Sequence, residues 1–304
     1  MVFPGQGSQK VGMLADLAHD SLLTGVFGTV SQSAGCDLKR LAIEGPAEAL
    51  DATTVTQPLM LAADIAFYAI QRAQGGAMPV VVAGHSLGEY AALYAAGVLD
   101  VPALAGLVTV RARLMQEAVA PGAGAMAAVL GLDDEAVGRA CRSVVGGIVE
   151  PVNYNSPGQV VIAGERSAVE QALLAARQAG ARKAILLPVS VPAHSSLMRS
   201  ASRAFEAELA RVDLHPPSVP IVHNADRSPH PEPAAIRLAL VAQLASPVHW
   251  TETVRCLRDA HGVTRIVECG PGRVLTGLGR RIAPELEHRS LENRETIRQY
   301  AETN

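Results

Sequence analysis

The sequence predicts an α/β fold: a large domain of the α/β-hydrolase type with a parallel-sheet core, carrying an inserted ferredoxin-like (βαββαβ) subdomain. Three observations carry this expectation. The run Pro79–Ala83 is short, β-branched and apolar on both faces, as a parallel strand buried on both sides is. It passes through Gly84-His85-Ser86-Leu87-Gly88 directly into an Ala-rich helix. Between Gly124 and Pro188 the long Ala-rich helices give way to shorter elements in the order β-α-β-β-α-β. Beyond it, strands again alternate with helices, so residues 1–123 and 189–304 read as the large domain and 124–188 as the insertion.

Composition sets the outer limits. A chain of 304 residues buries a substantial core. Its 26 basic and 29 acidic residues exclude a general nucleic-acid surface and a disordered acidic chain. No apolar run has the length of a bilayer span, and the first residues lack the basic segment and apolar core of a secretory signal. A cytoplasmic chain without a membrane partner is therefore expected, and a monomer. Cys36, Cys141, Cys256 and Cys269 are scattered, and the nine histidines show no H-E-x-x-H spacing, so neither metal nor cofactor is expected.

Taken in order, Met1–Phe3 opens into Pro4-Gly5-Gln6-Gly7-Ser8-Gln9, whose glycines permit a close backbone approach. Helical patterns run from Gly12 to about Val30 and from Gln57 to Gln74, the second starting at Pro58 with a stripe of Leu61, Ile65, Tyr68 and Ala69. At Ser86 the strand-to-helix turn, with Gly84 and Gly88 leaving room, is the G-x-S-x-G nucleophile elbow. It exposes Oγ and aims the first free N–H groups, Leu87 foremost, at the place where an oxyanion forms. A serine hydrolase and an acyltransferase both use this turn.

Asp100 caps a helix to about Ala118 whose apolar stripe is Leu104, Leu107, Val108, position 111 and Met115. Position 111 is arginine, which either runs its stem out to solvent or meets an anion in a cleft. The insertion follows: strand Ala125–Leu130, helix Asp133–Val144, strand Ile148–Asn153, turn Asn155–Gly158, strand Gln159–Ala163, helix Ser167–Ala179 and strand Lys183–Pro188. Val189–Ser196 joins it back, and His194 stands in this polar turn, either as a surface residue or facing a cleft. A helix Leu197–Val212, strand Val219–His223, helix Ala234–Leu244, strand Arg265–Cys269 and helix Val274–Ile282 complete the large domain. Beyond Leu291 the polar tail is expected to fray.

Together, Phe3–Gln9, Gly84–Tyr90, Arg111, Asn153–Gly164, Val189–His194, Gln243–Trp250 and Gly270-Pro271-Gly272 resemble the malonyl-CoA:acyl carrier protein transacylases of fatty acid synthesis, across Val2 to about Asn293. The resemblance implies a Ser86–His194 dyad, with the backbone carbonyl of Gln243 orienting the imidazole. It implies an oxyanion hole from the N–H groups of Gln6 and Leu87, and Arg111 as the clamp on the malonyl carboxylate. It also implies two partners, malonyl-CoA and the phosphopantetheine thiol of holo acyl carrier protein, which is acidic in this family. Arg182, Lys183, Arg280 and Arg281 are the basic residues expected to receive that protein. Ala193 stands where the family often has serine. A rival serine hydrolase needs a downstream acid and histidine, for which Glu268 and His288 are the candidates. Discrete acyltransferases of polyketide synthesis or malonate decarboxylation share the same chemistry.

Overall fold

The computed structural model describes residues 1–189 and 191–303, so Ser190 in the joining segment lies outside the described residues. β1 (Val2–Phe3) precedes α1 (Ser21–Ala34), α2 (Leu38–Glu44) and α3 (Thr53–Ala73). β2 (Val82–Gly84) leads into α4 (Gly88–Ala95) and α5 (Val101–Glu117). Next come β3 (Gly124–Leu130), α6 (Asp134–Arg142), β4 (Val149–Ser156), β5 (Gln159–Glu165), α7 (Arg166–Gln178) and β6 (Lys183–Leu186). α8 (Arg199–Leu209), β7 (Ile221–Val222), α9 (Pro233–Gln243), α10 (Trp250–Asp259), β8 (Arg265–Cys269), α11 (Val274–Ile282), β9 (Glu287–Leu291) and α12 (Arg294–Glu302) follow.

The first sheet is parallel with order β7-β2-β1-β8-β9, so the strand that ends at the elbow lies inside it. The second is antiparallel with order β4-β5-β3-β6, the ferredoxin-like arrangement. One face of this small sheet packs Ala127, Val129, Val160 and Ile162 against Val137 and Cys141 of α6 and Val169 and Leu173 of α7. Its other face turns Met126, Ala128 and Val161 toward Ser86 across a cleft. Two backbone hydrogen bonds tie β4 to the large sheet's side: Tyr154 N–H donates to the Val248 carbonyl (2.9 Å) and Val248 N–H to that of Val152 (2.8 Å). Among the described residues no helix is long and apolar enough to cross a membrane.

Several elements depart from the sequence expectations, each for a local reason. The Gly12–Val30 pattern is broken: a 3-10 turn spans Ala15–Leu17, and Asp20 then caps α1 by accepting from Leu22 N–H. α2 was not anticipated; the Asp37 side chain caps it. α3 begins at Thr53 rather than at Pro58, which lies inside it. An interior proline costs about 3 kcal/mol, but every residue from Leu59 to Phe67 is buried, and that burial holds the turn. The strand expected over Pro79–Ala83 is Val82–Gly84, because Val80 is 73% exposed and precedes the ladder. β4 runs on through Ser156, which narrows the turn to Pro157-Gly158 and makes Asn155 a strand residue. The strand expected at Val219–His223 pairs only over Ile221–Val222, and the helix expected at Leu197 begins as a 3-10 turn over Ser196–Met198 before α8.

The tail does not fray. β9 pairs with β8 over Glu287–Leu291, and α12 opens on a capping box between Asn293 and Thr296. Ile297 and Tyr300 of this polar helix are buried in the main core.

Candidate active site

Ser86 sits between β2 and α4 with φ of +52°, a conformation sparsely populated for a residue with a Cβ. The turn closes because its flanks carry no side chains. A Cβ on Gly84 would lie 1.9 Å from the Gly88 carbonyl carbon, and one on Gly88 would lie 2.1 Å from the Phe3 carbonyl oxygen. Both glycines are therefore fixed by space.

The expected dyad partners are adjacent. His194 Nε2 lies 2.7 Å from Ser86 Oγ, although the two residues are 108 positions apart in sequence. Its Nδ1 lies 2.8 Å from the backbone carbonyl of Gln243. A carbonyl only accepts, so Nδ1 carries the hydrogen and Nε2 is the acceptor facing the serine hydroxyl. Gln243 is the last residue of α9, where helix carbonyls lack intrahelical donors and the dipole is negative. His194 is itself at φ of +66° and is buried in the cleft, not a surface residue. Burial first, and the positive charge of Arg111 second, bring its pKa down to about 3, so the imidazole is neutral near pH 7.

Arg111 takes the cleft and not the solvent. It is 1% exposed and its guanidinium stands over the Tyr90 ring at 5.2 Å. Nη1 donates to Gln57 Oε1 (2.6 Å), and Nη2 to Gln243 Oε1 (2.9 Å) and Ser86 Oγ (3.4 Å). All of these partners are neutral, and Nε has no partner among the described residues. A buried guanidinium without a carboxylate in contact is costly until an anion reaches it.

Gln6 and Ser86 line the same cavity of about 240 Å³, together with Gly5, His85, Asn153, Asn155, Val191, His194 and Leu278. Among the described residues the backbone N–H groups of Gln6 and Leu87 donate no hydrogen bond, which leaves both open to an acceptor. The Ser86 N–H, by contrast, donates to Asn224 Oδ1 (2.7 Å).

The hydrolase candidates are occupied elsewhere. Glu268 accepts from the N–H groups of Leu275 and Thr276 at the start of α11, and His288 Nε2 bonds the Ala283 carbonyl. Neither residue contacts Ser86 or His194.

Arg182, Lys183, Arg280 and Arg281 are exposed. Arg281 donates to Gln159 Oε1 (2.8 Å), Gln159 lines the cavity, and the sheet row Gln159–Leu130–Lys183 continues from it. Arg281 and Lys183 thus share one rim of the cleft, with Arg182 bound through its N–H to the Leu130 carbonyl.

Other residues at the site were missed in the sequence. Gln57 and the Gln243 side chain hold Arg111, Asn224 holds the elbow, His85 bonds Asn155 of the small sheet (2.8 Å), and Glu89 is wholly buried behind them. One signal was available for Glu89: it is the acidic residue of an otherwise apolar, Ala-rich helix.

Comparison with known proteins agrees with this geometry. A model of the acyl transferase domain matches residues 1–283. The malonyl CoA-acyl carrier protein transacylase of Escherichia coli strain K12 is 50% identical over 287 residues, covering 94% of this chain and 93% of that protein. The chain belongs to the malonyl-CoA:acyl carrier protein transacylase family. Members of known structure share the whole fold. A malonyl-transacylase solved in complex with a type II polyketide-synthase acyl-carrier protein superimposes with a TM-score of 0.97 at 47% identity, covering 100% of this chain and 99% of that one. The acyl carrier protein S-malonyltransferase of Vibrio cholerae gives 0.92 at 47% identity, covering 97% of each chain. As a transacylase of this family, the chain is an acyltransferase with a serine elbow.

Proposed function

We propose that this enzyme moves a malonyl group from malonyl-CoA to the phosphopantetheine thiol of holo acyl carrier protein through a malonyl-Ser86 ester, supplying fatty acid synthesis. The observation that carries the choice of malonyl is Arg111: a buried cation without an acidic contact, 3.4 Å from the nucleophile. An acyl group bearing its own carboxylate supplies the missing anion, and a guanidinium takes it through two parallel hydrogen bonds.

In the first half-reaction Ser86 Oγ attacks the thioester carbonyl and gives its proton to His194 Nε2. The tetrahedral oxyanion accepts from the N–H groups of Gln6 and Leu87. Collapse breaks the C–S bond, and the departing coenzyme A thiolate takes the proton from His194. In the second half the carrier-protein thiol attacks the malonyl ester and passes its proton to His194, which returns it to Ser86 Oγ as the ester C–O bond breaks. A thiolate is a good leaving group. This supports a histidine oriented by a neutral carbonyl where amide cleavage uses a buried carboxylate.

Two separate sheets with separate apolar clusters support reading 1–123 with 189–304 as the catalytic domain and 124–188 as the ferredoxin-like subdomain. We read the chain as a monomer and assign it to the cytoplasm. Polyketide supply is the second reading, favoured by the likeness to a transacylase bound to a polyketide-synthase carrier. Intact-protein mass spectrometry after brief exposure to malonyl-CoA tests the proposal. A malonyl adduct is expected on wild type and absent from Ser86→Ala, and it is discharged by holo carrier protein. An adduct that persists in Ser86→Ala, or that only water discharges, refutes it. The fatty-acid and polyketide carriers, compared as acceptors, separate the two readings.

A further inference from the structure

Glu89, the second residue of α4, has no role in the chemistry described above, yet it is fully buried and its carboxylate accepts three hydrogen bonds. Oε1 receives His223 Nδ1 at 2.7 Å; Oε2 receives Asn224 N–H at 3.1 Å and Gln243 Nε2 at 2.7 Å. His223, Asn224 and Gln243 are buried as well. From two of these partners the network reaches the nucleophile. Asn224 Oδ1 accepts the Ser86 N–H (2.7 Å) and its Nδ2 donates to the Gly84 carbonyl (2.7 Å), while Gln243 Nε2 donates to the Ser86 carbonyl (2.9 Å). The peptide groups on both sides of the strained Ser86 Cα are thus held by residues that Glu89 holds.

The same carboxylate settles which way the Gln243 amide points. Nε2 lies between two acceptors, Glu89 Oε2 and the Ser86 carbonyl, so Oε1 faces Arg111 Nη2 at 2.9 Å. A flipped amide would set oxygen against two oxygens and nitrogen against the guanidinium. Glu89 is also the nearest acidic group in Arg111's hydrogen-bond network, one amide away. It compensates the buried cation without occupying the guanidinium fork that the substrate carboxylate needs. We infer that Glu89, backed by His223, is a positioning residue that holds the Ser86 elbow and aims Gln243 at His194 and Arg111 together. The inference rests on the malonyl-transfer reading given above.

Steady-state kinetics with malonyl-CoA and acetyl-CoA on wild type, Arg111→Ala, Glu89→Gln and Glu89→Asp separate that reading from the inference. Selective loss of malonyl transfer in Arg111→Ala upholds the reading; equal loss for both acyl groups brings it down whatever Glu89 does. In Glu89→Gln the volume is kept, but the negative charge is lost and an NH2 group replaces an oxygen that accepts either from His223 or from Asn224 and Gln243. We expect kcat to fall at least thirtyfold with either acyl group and the malonyl-over-acetyl preference in kcat/KM to fall about tenfold, with Glu89→Asp restoring most of the preference. Folded Glu89→Gln that keeps the wild-type preference overturns the inference, because a purely structural carboxylate would change the yield of folded enzyme and not its choice of acyl group. Where Glu89→Gln does not fold, His223→Leu removes the donor on the far side of the carboxylate. A preference lowered at least threefold is then expected, and an unchanged preference overturns the inference equally.

Discussion

His194 shows how few atoms set the working range of the site. With its pKa near 3 the imidazole stays an acceptor through the whole physiological range, and burial is the main cause, with Arg111 second. The proposed acylation of Ser86 therefore has no acidic limb at pH 6.5 belonging to this group; kcat/KM measured from pH 5 to 8 is expected to be flat in that respect. Arg111→Ala removes one cause of the depression, so any acid limb assignable to His194 moves up in pH. Stability has the opposite face. Below pH 6.5, the ordinary histidine value, the unfolded chain takes up a proton that the folded chain refuses. This single group thus weakens the fold by about 1.4 kcal/mol per pH unit as pH falls toward about 3. Denaturant midpoints of wild type and His194→Gln against pH check the sign: the variant is expected to lose less stability in acid. Ser86, Arg111 and His194 were legible because each broke a local pattern: a serine between glycines, a charge on an apolar stripe, a histidine in a joining turn. Glu89, Asn224 and Gln57 were not, because their work is done through hydrogen bonds to residues 54 to 154 positions away, which a linear pattern does not contain.

At the scale of elements, burial repeatedly overrides local propensity. α3 carries a proline inside its second turn and survives because every residue from Thr56 to Tyr68 is buried; the sequence rule places a helix start at that proline and errs by five residues. The C-terminal segment errs the other way. Its polarity reads as a frayed tail, whereas a capping box and two buried side chains suffice to dock α12. Replacing Asn293 by alanine removes the acceptor for Thr296 N–H and is expected to cost about 1 kcal/mol, read as a lower denaturant midpoint. The initial rate per folded molecule should not change, since α12 packs on α3 and β9 and not on the elbow. The insertion was the most legible part of the fold. Its strands are short runs bounded by turn residues, and its two helices carry strong apolar stripes, so the β-α-β-β-α-β order emerges with boundaries moved by a few residues.

The whole molecule adds what neither residues nor elements contain, a cleft between two sheets. The proposed chemistry lies on the large sheet's side, yet Met126, Ala128, Val161 and Leu187 of the second sheet's side form much of the opposite wall. The hydrogen bonds of His85 with Asn155, of Tyr154 with Val248 and of Arg281 with Gln159 hold the two sides at a fixed separation. Arg281 and Lys183 then stand along one rim of the cleft mouth, one on α11 and one on β6, and the same two elements expose apolar groups, Val274 at 46% and Ile185 at 39%. An acidic carrier protein delivering a phosphopantetheine arm would meet charge at the rim and apolar surface along the entrance. Steering of this kind acts on encounter more than on chemistry and is screened by salt. The double reversal Lys183→Glu with Arg281→Glu is therefore expected to lower kcat/KM for the carrier protein about tenfold at low ionic strength, with the gap closing in ~0.5 M salt. Coenzyme A is itself an anion, so acylation should be followed with the malonyl thioester of a small uncharged thiol as donor, whose one charge is the malonyl carboxylate. With that donor the rate of Ser86 acylation is expected to stay at the wild-type value. A reversal that leaves carrier-protein transfer unchanged at low salt would remove this rim from the docking surface, and a reversal that slows acylation by the small-thiol donor as well would instead mark these residues as supports of the cleft.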